Sequence, residues 1–239
     1  MTNSLNALKD GDDIVAAKTD KGSEILLYRF GSGALPVLLL GGVHGDESEG
    51  FLCAERFIDS FRNGALRIPE GLSLYISPRL NPDGCAALRR TNHGNVDLNR
   101  NLPTGDWTDE FTNVRYYPGR AAGSEPESKL TIRLIEELDP AVVFSLHSYE
   151  NAMINFNGDC EDLAVVMSRK NGLPPKGDIG YPTPGSLGTY GGWERNIPVI
   201  TLEIFRGEEP DKSWEKHREA LLDGFSYYLN RARPAKKQV

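Results

Sequence analysis

Residues 38–50, LLLGGVHGDESEG, run from a wholly apolar stretch through two glycines into a cluster of polar side chains. Val37 to Val43 reads as a buried strand, and Gly41-Gly42 marks a tight turn that side chains would obstruct. A helix follows, because Phe51, Ala54, Ile58 and Phe61 recur on one face while Glu55, Arg56 and Asp59 lie on others. Strand, glycine turn and helix in immediate succession form the repeating unit of an α/β sheet.

The same alternation extends outward in both directions. Glu24 to Tyr28 and Leu72 to Ser77 read as strands, the latter closed by the turn sequence Asn81-Pro82-Asp83-Gly84. Glu127 to Leu138 reads as a helix bracketed by Pro126 and Pro140. AVVFSL at 141–146 and PVITLEIF at 198–205 are nearly continuous in apolar and β-branched residues, as central strands covered on both faces require. Leu221, Phe225, Tyr228 and Leu229 mark a C-terminal helix. Asn92 to Ser124 and Asn171 to Gly192 show little periodicity, and loops this long in a compact domain usually carry function.

The chain has 239 residues, enough for one domain to bury roughly three quarters of its unfolded surface, so residues 1–239 are read as a single domain. A net charge of −7 without an internal basic run argues against a nucleic-acid or anionic-membrane partner and for a small substrate. The longest strongly apolar run, Val37 to Leu40, is far below the ~20 residues of a membrane span. The opening MTNSLNALKDGDD lacks the features of an export signal, which places the protein in the cytoplasm. Cys53, Cys85 and Cys160 are odd in number and widely spaced, so reduced, buried thiols are expected.

The chemistry starts at His44 and Glu47, two zinc donors three residues apart at a strand end. A catalytic zinc takes three protein ligands and keeps one open position. His147 follows the buried strand AVVFSL and emerges at the same carboxyl edge as His44, which makes it the third ligand. His217, among polar residues, reads as a solvated surface histidine, and His93 as a polar loop residue. In NVDLNRN, residues 95–101, Asp97, Asn99 and Arg100 are grouped; arginine offers a planar fork for a carboxylate and the asparagine amide adds a donor. Glu203 lies within an otherwise buried strand, so it is paired, with Arg195 or Arg206, or functional. Beside a metal, such a carboxylate takes a proton from water and passes it to a leaving amine.

Taken in order, HGDE, NPDG, RTN, VDLNRN, the LH pair after an apolar strand, and TLE resemble the zinc metallocarboxypeptidase family. NPDGCAALRRTNHGNVDLNRNLPTGDW, GSEPES and GYPTPGSLGTY are most similar to its bacterial branch acting on murein peptides. The resemblance implies a mixed eight-stranded α/β sheet with helices on both faces and one Zn2+ per chain. His44, Glu47 and His147 then hold the zinc, Glu203 is the general base, and Asp97 orients the first zinc histidine. Asn99 and Arg100 grip the substrate carboxylate, and Arg90, with Arg89 as competitor, stabilises the oxyanion. Tyr181, with Tyr190 second, stands nearest the family's mobile tyrosine, and Leu187 falls in the segment shaping the specificity pocket.

Asp46 departs from the basic residue that digestive members carry there, so ordinary polypeptides are expected to be poor substrates; Asp46 and Glu49 together are suited to meeting an ammonium group. The implied substrate is a muropeptide, murein tripeptide, cut at the γ-D-glutamyl to meso-diaminopimelate bond in cytoplasmic wall recycling, by the chain alone or as a homodimer. Two other readings remain: a deacylase of the succinylglutamate desuccinylase or aspartoacylase type, against which NPDG and RTN argue, and a non-catalytic muropeptide-binding module.

Overall fold

Eight strands form one mixed sheet in a computed structural model that describes residues 5–237. Residues 1–4, part of the opening segment read above for an export signal, lie outside the described residues. The strands are β1 (Asp13–Lys18), β2 (Glu24–Phe30), β3 (Leu35–Leu40), β4 (Leu72–Ser77), β5 (Val143–Tyr149), β6 (Met153–Asn157), β7 (Pro175–Lys176) and β8 (Val199–Phe205). Their spatial order is β1-β2-β4-β3-β5-β8-β6-β7. The central run β4-β3-β5-β8 is parallel, whereas β2 and β6 join it antiparallel.

The period of two along the central strands divides the apolar residues between two cores. Val37 and Leu39 of β3, Phe144 and Leu146 of β5, and Ile200, Leu202 and Ile204 of β8 face one side. There they meet α1 (Ser48–Arg62), α4 (Glu161–Asn171) and α5 (Pro210–Ser226), through Phe57, Met167, Leu221 and Phe225. Leu38, Leu40, Val143 and Val199 face the other side, covered by Leu130, Leu134 and Leu138 of α3 (Pro126–Leu138). Helices thus lie on both faces, as the resemblance implied.

Several sequence expectations are corrected. Asn81-Pro82-Asp83-Gly84 opens the short helix α2 (Pro82–Ala87) rather than only turning the chain: Asn81 Oδ1 accepts from the Gly84 amide at 2.8 Å and proline occupies the first turn. The segment 171–192 read as loop contains β7 and the start of a π-helical turn, Gly188–Trp193. His217 is fully buried, not solvated. Its Nδ1 lies 3.2 Å from Asn171 Nδ2 and its Nε2 3.4 Å from Glu208 Oε2, and burial pushes its pKa down to about 4. The polar neighbours of His217 in sequence lie on the outer face of α5, while its own position points inward with Trp214 and Leu221. The three cysteines are free and buried, as expected. Among the described residues no helix is long and apolar enough to cross a membrane.

Candidate metal centre

β3 and β5 run parallel side by side, so the residues beyond their carboxyl ends emerge at one edge of the sheet. After β3 the chain passes Gly42, whose φ of +60° is a left-handed conformation, and reaches His44. A Cβ on Gly45 would overlap the backbone of Gly84 in α2, so this loop and the NPDG helix touch main chain to main chain. Asn81 ties the contact, donating from Nδ2 to the Val43 carbonyl at 3.4 Å. Glu47 precedes α1, and His147 sits late in β5 opposite Glu203 of β8, so these two side chains share one face of the sheet.

His44, Glu47 and His147 are buried, and one ligand atom from each lies within 4.8 Å of the others. His147 Nδ1 is 3.1 Å from His44 Nδ1 and 2.7 Å from Glu47 Oε2, while His44 Nδ1 is 3.0 Å from Glu47 Oε1. The outer nitrogens have their own partners. His44 Nε2 faces Asp97 Oδ1 at 3.0 Å, and His147 Nε2 faces Ser145 Oγ at 2.9 Å. In the tautomers with Nε2–H donating outward, both Nδ1 lone pairs and a carboxylate oxygen converge on one point, a donor set suited to a metal cation. Two imidazoles and one carboxylate are ligands suited to zinc. The residues present therefore fit the metal that the sequence implies.

Charges around the cluster act on one another at close range. Burial opposes the charged form of Glu47, but His44 and His147 outweigh it and hold the carboxyl well below the usual range. Burial and Arg90 draw His44 down, yet Glu47 and Asp97 prevail and leave it raised. Asp97, fully buried, is held far below its ordinary value despite burial, chiefly by Arg90 and His44. Arg90 donates from Nε to Asp97 Oδ2 at 2.9 Å and from Nη1 to Glu47 Oε1 at 3.3 Å. Arg89 instead turns to the loop, towards Asn95 and the Asn92 carbonyl. Of the two candidates, only Arg90 reaches the cluster.

Glu203 is 6% exposed and has no hydrogen bond or ion pair to another described residue. Its suggested structural partners are engaged elsewhere: Arg195 with Glu194 and the Tyr190 carbonyl, Arg206 with Glu47. Burial, assisted by Glu47 and opposed by His147, pushes the Glu203 carboxyl up to about 7.

One cavity of about 340 Å³ is lined by His44, Glu47, His147, Glu203, Arg90, Asn99, Arg100 and Tyr181 together. Asn99 and Arg100 lie on a single 3-10 turn (Leu98–Arg100), started by Asp97 accepting from the Asn99 amide at 3.0 Å. Arg100 is buried. Tyr181 is partly exposed, whereas Tyr190 is buried in the core with its ring under Arg195.

Leu187 is a correction. Its side chain packs in the core with Leu102 and Tyr190 and does not line the cavity, and its amide donates to Asn99 Oδ1 at 2.9 Å. The carboxyl groups of Asp46 and Glu49 are engaged as well, Asp46 with Arg115 and Glu49 with the Gly207 amide. Tyr116, whose ring lies 5.3 Å from the Arg90 guanidinium and 5.6 Å from that of Arg100, and Arg115 and Arg206 line the cavity without having been singled out for the site. The only sequence signal for the first two was their place in the long loop 92–124.

Residues 14–181 match the zinc carboxypeptidase family, Peptidase_M14. The chain is 33% identical over 199 residues to murein peptide amidase A of Vibrio campbellii, covering 77% of this chain and 75% of that protein. Against murein peptide amidase A of Escherichia coli K12 the identity is 32% over 200 residues, covering 78% and 77%. The crystal structure of murein-tripeptide amidase from Escherichia coli O157 superposes with a TM-score of 0.72 at 24% identity, covering 94% of this chain and 96% of that one. Carboxypeptidase A from Helicoverpa armigera gives 0.80 at 19% identity, covering 92% and 69%. The shared sheet and the match over most of the chain settle the classification: this protein belongs to the zinc carboxypeptidase family and is a zinc hydrolase.

Proposed function

We propose that this chain, as a single catalytic domain in the cytoplasm, hydrolyses the γ-D-glutamyl to meso-diaminopimelate bond of murein peptides. The observation that carries the reading is 33% identity over 77% of the chain to a protein named murein peptide amidase A. The cavity supports it: a buried, unpaired carboxylate and a buried arginine flank the same ligand cluster.

His44, His147 and Glu47 would hold the ion. Zinc bound there would supply Lewis acidity, polarising a carbonyl and lowering the pKa of water to about 7. Glu203 accepts a proton from the attacking water on a carboxylate oxygen and delivers it to the nitrogen of the departing amine. Arg90, fixed by Asp97 and Glu47, presents N–H groups to the negative charge developing on the carbonyl oxygen, with no reorganisation at the moment of reaction. Arg100 takes the diaminopimelate carboxylate beside the cut, Asn99 positions the turn through Leu187, and Tyr181 covers the site.

The test is incubation of the zinc-loaded protein with L-alanyl-γ-D-glutamyl-meso-diaminopimelate and, separately, with N-succinyl and N-acetyl amino acids, products being read by mass spectrometry. Release of free diaminopimelate is expected. Binding without cleavage, or faster deacylation, refutes the reading. Glu203→Gln should retain zinc and lose about 10²- to 10⁴-fold in kcat, the range of a general base. Full turnover by that variant removes the proposed base.

A further inference from the structure

Two arginines that this mechanism leaves unused meet over one carboxylate at the cavity. Arg115, on the 3-10 turn Val114–Tyr116, donates from Nη2 to Asp46 Oδ2 at 2.9 Å. Arg206, three residues past Glu203, has Nη1 3.7 Å from the same oxygen, an ion-pair distance too long for a hydrogen bond. Its other contacts are to carbonyl oxygens of Asp46 and Ser148, at 3.2 and 3.1 Å, and to Glu47 Oε1 at 3.2 Å. Both arginines line the cavity, and their side chains remain 43% and 34% exposed. Asp46 carries one negative charge against two guanidiniums, and Glu47 is already shared with His44, His147 and Arg90. Both arginines keep guanidinium N–H groups at this end of the cavity that no described acceptor takes up.

We propose that Arg115 and Arg206, braced on Asp46, form a second anion clamp, one that reads a carboxylate on the acyl side of the scissile bond. The inference rests on the γ-glutamyl substrate reading above. An α-linked residue spends its α-carboxyl group in the peptide bond, but a γ-linked glutamyl residue keeps that group free and ionised. Four carbon–carbon bonds separate it from the scissile carbonyl carbon, about 5 Å when extended. Arg206 already touches Glu47 of the ligand cluster, so an anion at that separation from a carbonyl held at the cluster falls within its reach. Arg100 takes the carboxylate on the amine side, and the clamp takes the other. The clamp also explains the acid at position 46. Asp46 does not itself meet a cationic substrate; it holds two arginines in place and tempers their mutual repulsion.

The experiment compares L-alanyl-γ-D-glutamyl-meso-diaminopimelate with its isoglutaminyl counterpart, in which that carboxylate is a neutral carboxamide. Wild-type protein should favour the carboxylate by about tenfold or more in kcat/KM, mainly through KM, as a charge-assisted hydrogen bond predicts. In Arg115→Gln that ratio should fall towards one, and Arg115→Lys should keep an intermediate ratio. A wild-type ratio near one overturns the clamp without any variant, and so does an Arg115→Gln protein that retains the wild-type ratio. Cleavage of neither substrate by the wild type has a different meaning: the substrate assignment then fails, and the clamp falls with it.

Discussion

Asp97→Asn removes one charge and no volume from a site where a single carboxylate holds three groups. Asp97 Oδ1 faces His44 Nε2 at 3.0 Å and accepts from the Asn99 amide at 3.0 Å, and Oδ2 accepts from Arg90 Nε at 2.9 Å. An asparagine amide offers one oxygen and one NH2. With the oxygen towards His44 and Asn99, the NH2 opposes Arg90 Nε–H donor to donor; flipped, it opposes both His44 Nε2–H and the Asn99 N–H. One donor is orphaned in the first orientation and two in the second, and the imidazole loses the negative charge that strengthens its Nδ1 as a ligand. Loss of such an outer partner typically weakens metal binding about 10- to 100-fold, or about 1.4–2.7 kcal/mol. Arg90 keeps Glu47 at 3.3 Å, so metal-free stability should fall by about 2–3 kcal/mol, less than for a buried charge stripped of every partner. Competition for zinc against a chromophoric chelator gives the first quantity and denaturant unfolding of the stripped protein gives the second. A zinc dissociation constant within about threefold of wild type would refute the proposed tautomer and the role of Asp97.

Gly45→Ala places a methyl group into the backbone of Gly84, which neither loop can vacate cheaply. Denaturant unfolding should show a loss of about 1–3 kcal/mol or more, together with weakened zinc binding because His44 and Glu47 flank the site; unchanged stability would refute the close approach. Glu127, almost fully buried, has its carboxyl pushed up to about 7 from 4.5, first by burial, with Asn92 opposing. The folded state therefore binds more protons than the unfolded one between those values. The stability this contributes is present below 4.5 and lost as pH rises through 7, about 3 kcal/mol in all. Glu127→Gln should abolish that loss, so its stability-against-pH curve diverges from wild type across this window; parallel curves would refute the assignment.

How far the sequence reveals the fold depends on whether periodicity fixes the direction of a side chain. β3, β5 and β8 were legible because strands buried on both faces are continuously apolar, α1 because one face repeats, and α3 because Pro126 and Pro140 bracket it. β6, MINFN, is short and borders polar loop residues, and nothing in its pattern separates it from coil. Asn81-Pro82-Asp83-Gly84 was misread for a related reason: the residues that favour a turn also cap and start a helix, and only the contact with Gly45 decides between them.

The candidate site divides along the same line. His44 and His147 follow apolar strands whose parallel pairing brings their ends together, so two ligands could be inferred from strand ends alone. Arg115 and Tyr116 sit on a loop with no period to orient them, and their approach to Asp46, Arg90 and Arg100 is a tertiary outcome. Leu187 shows the same limit from the other side. The family resemblance puts Leu187 in the segment shaping the specificity pocket, yet burial of its side chain is more favourable in the core, so only its amide serves the site, by fixing Asn99. Residues on β5 and β8 and in the short turn between β3 and α1 thus supply the ligands and the buried carboxylate, while the longer loops supply the arginines Arg90, Arg100 and Arg115. Substrate preference within this fold can therefore change by replacing loop arginines, with the cluster at the sheet edge left intact.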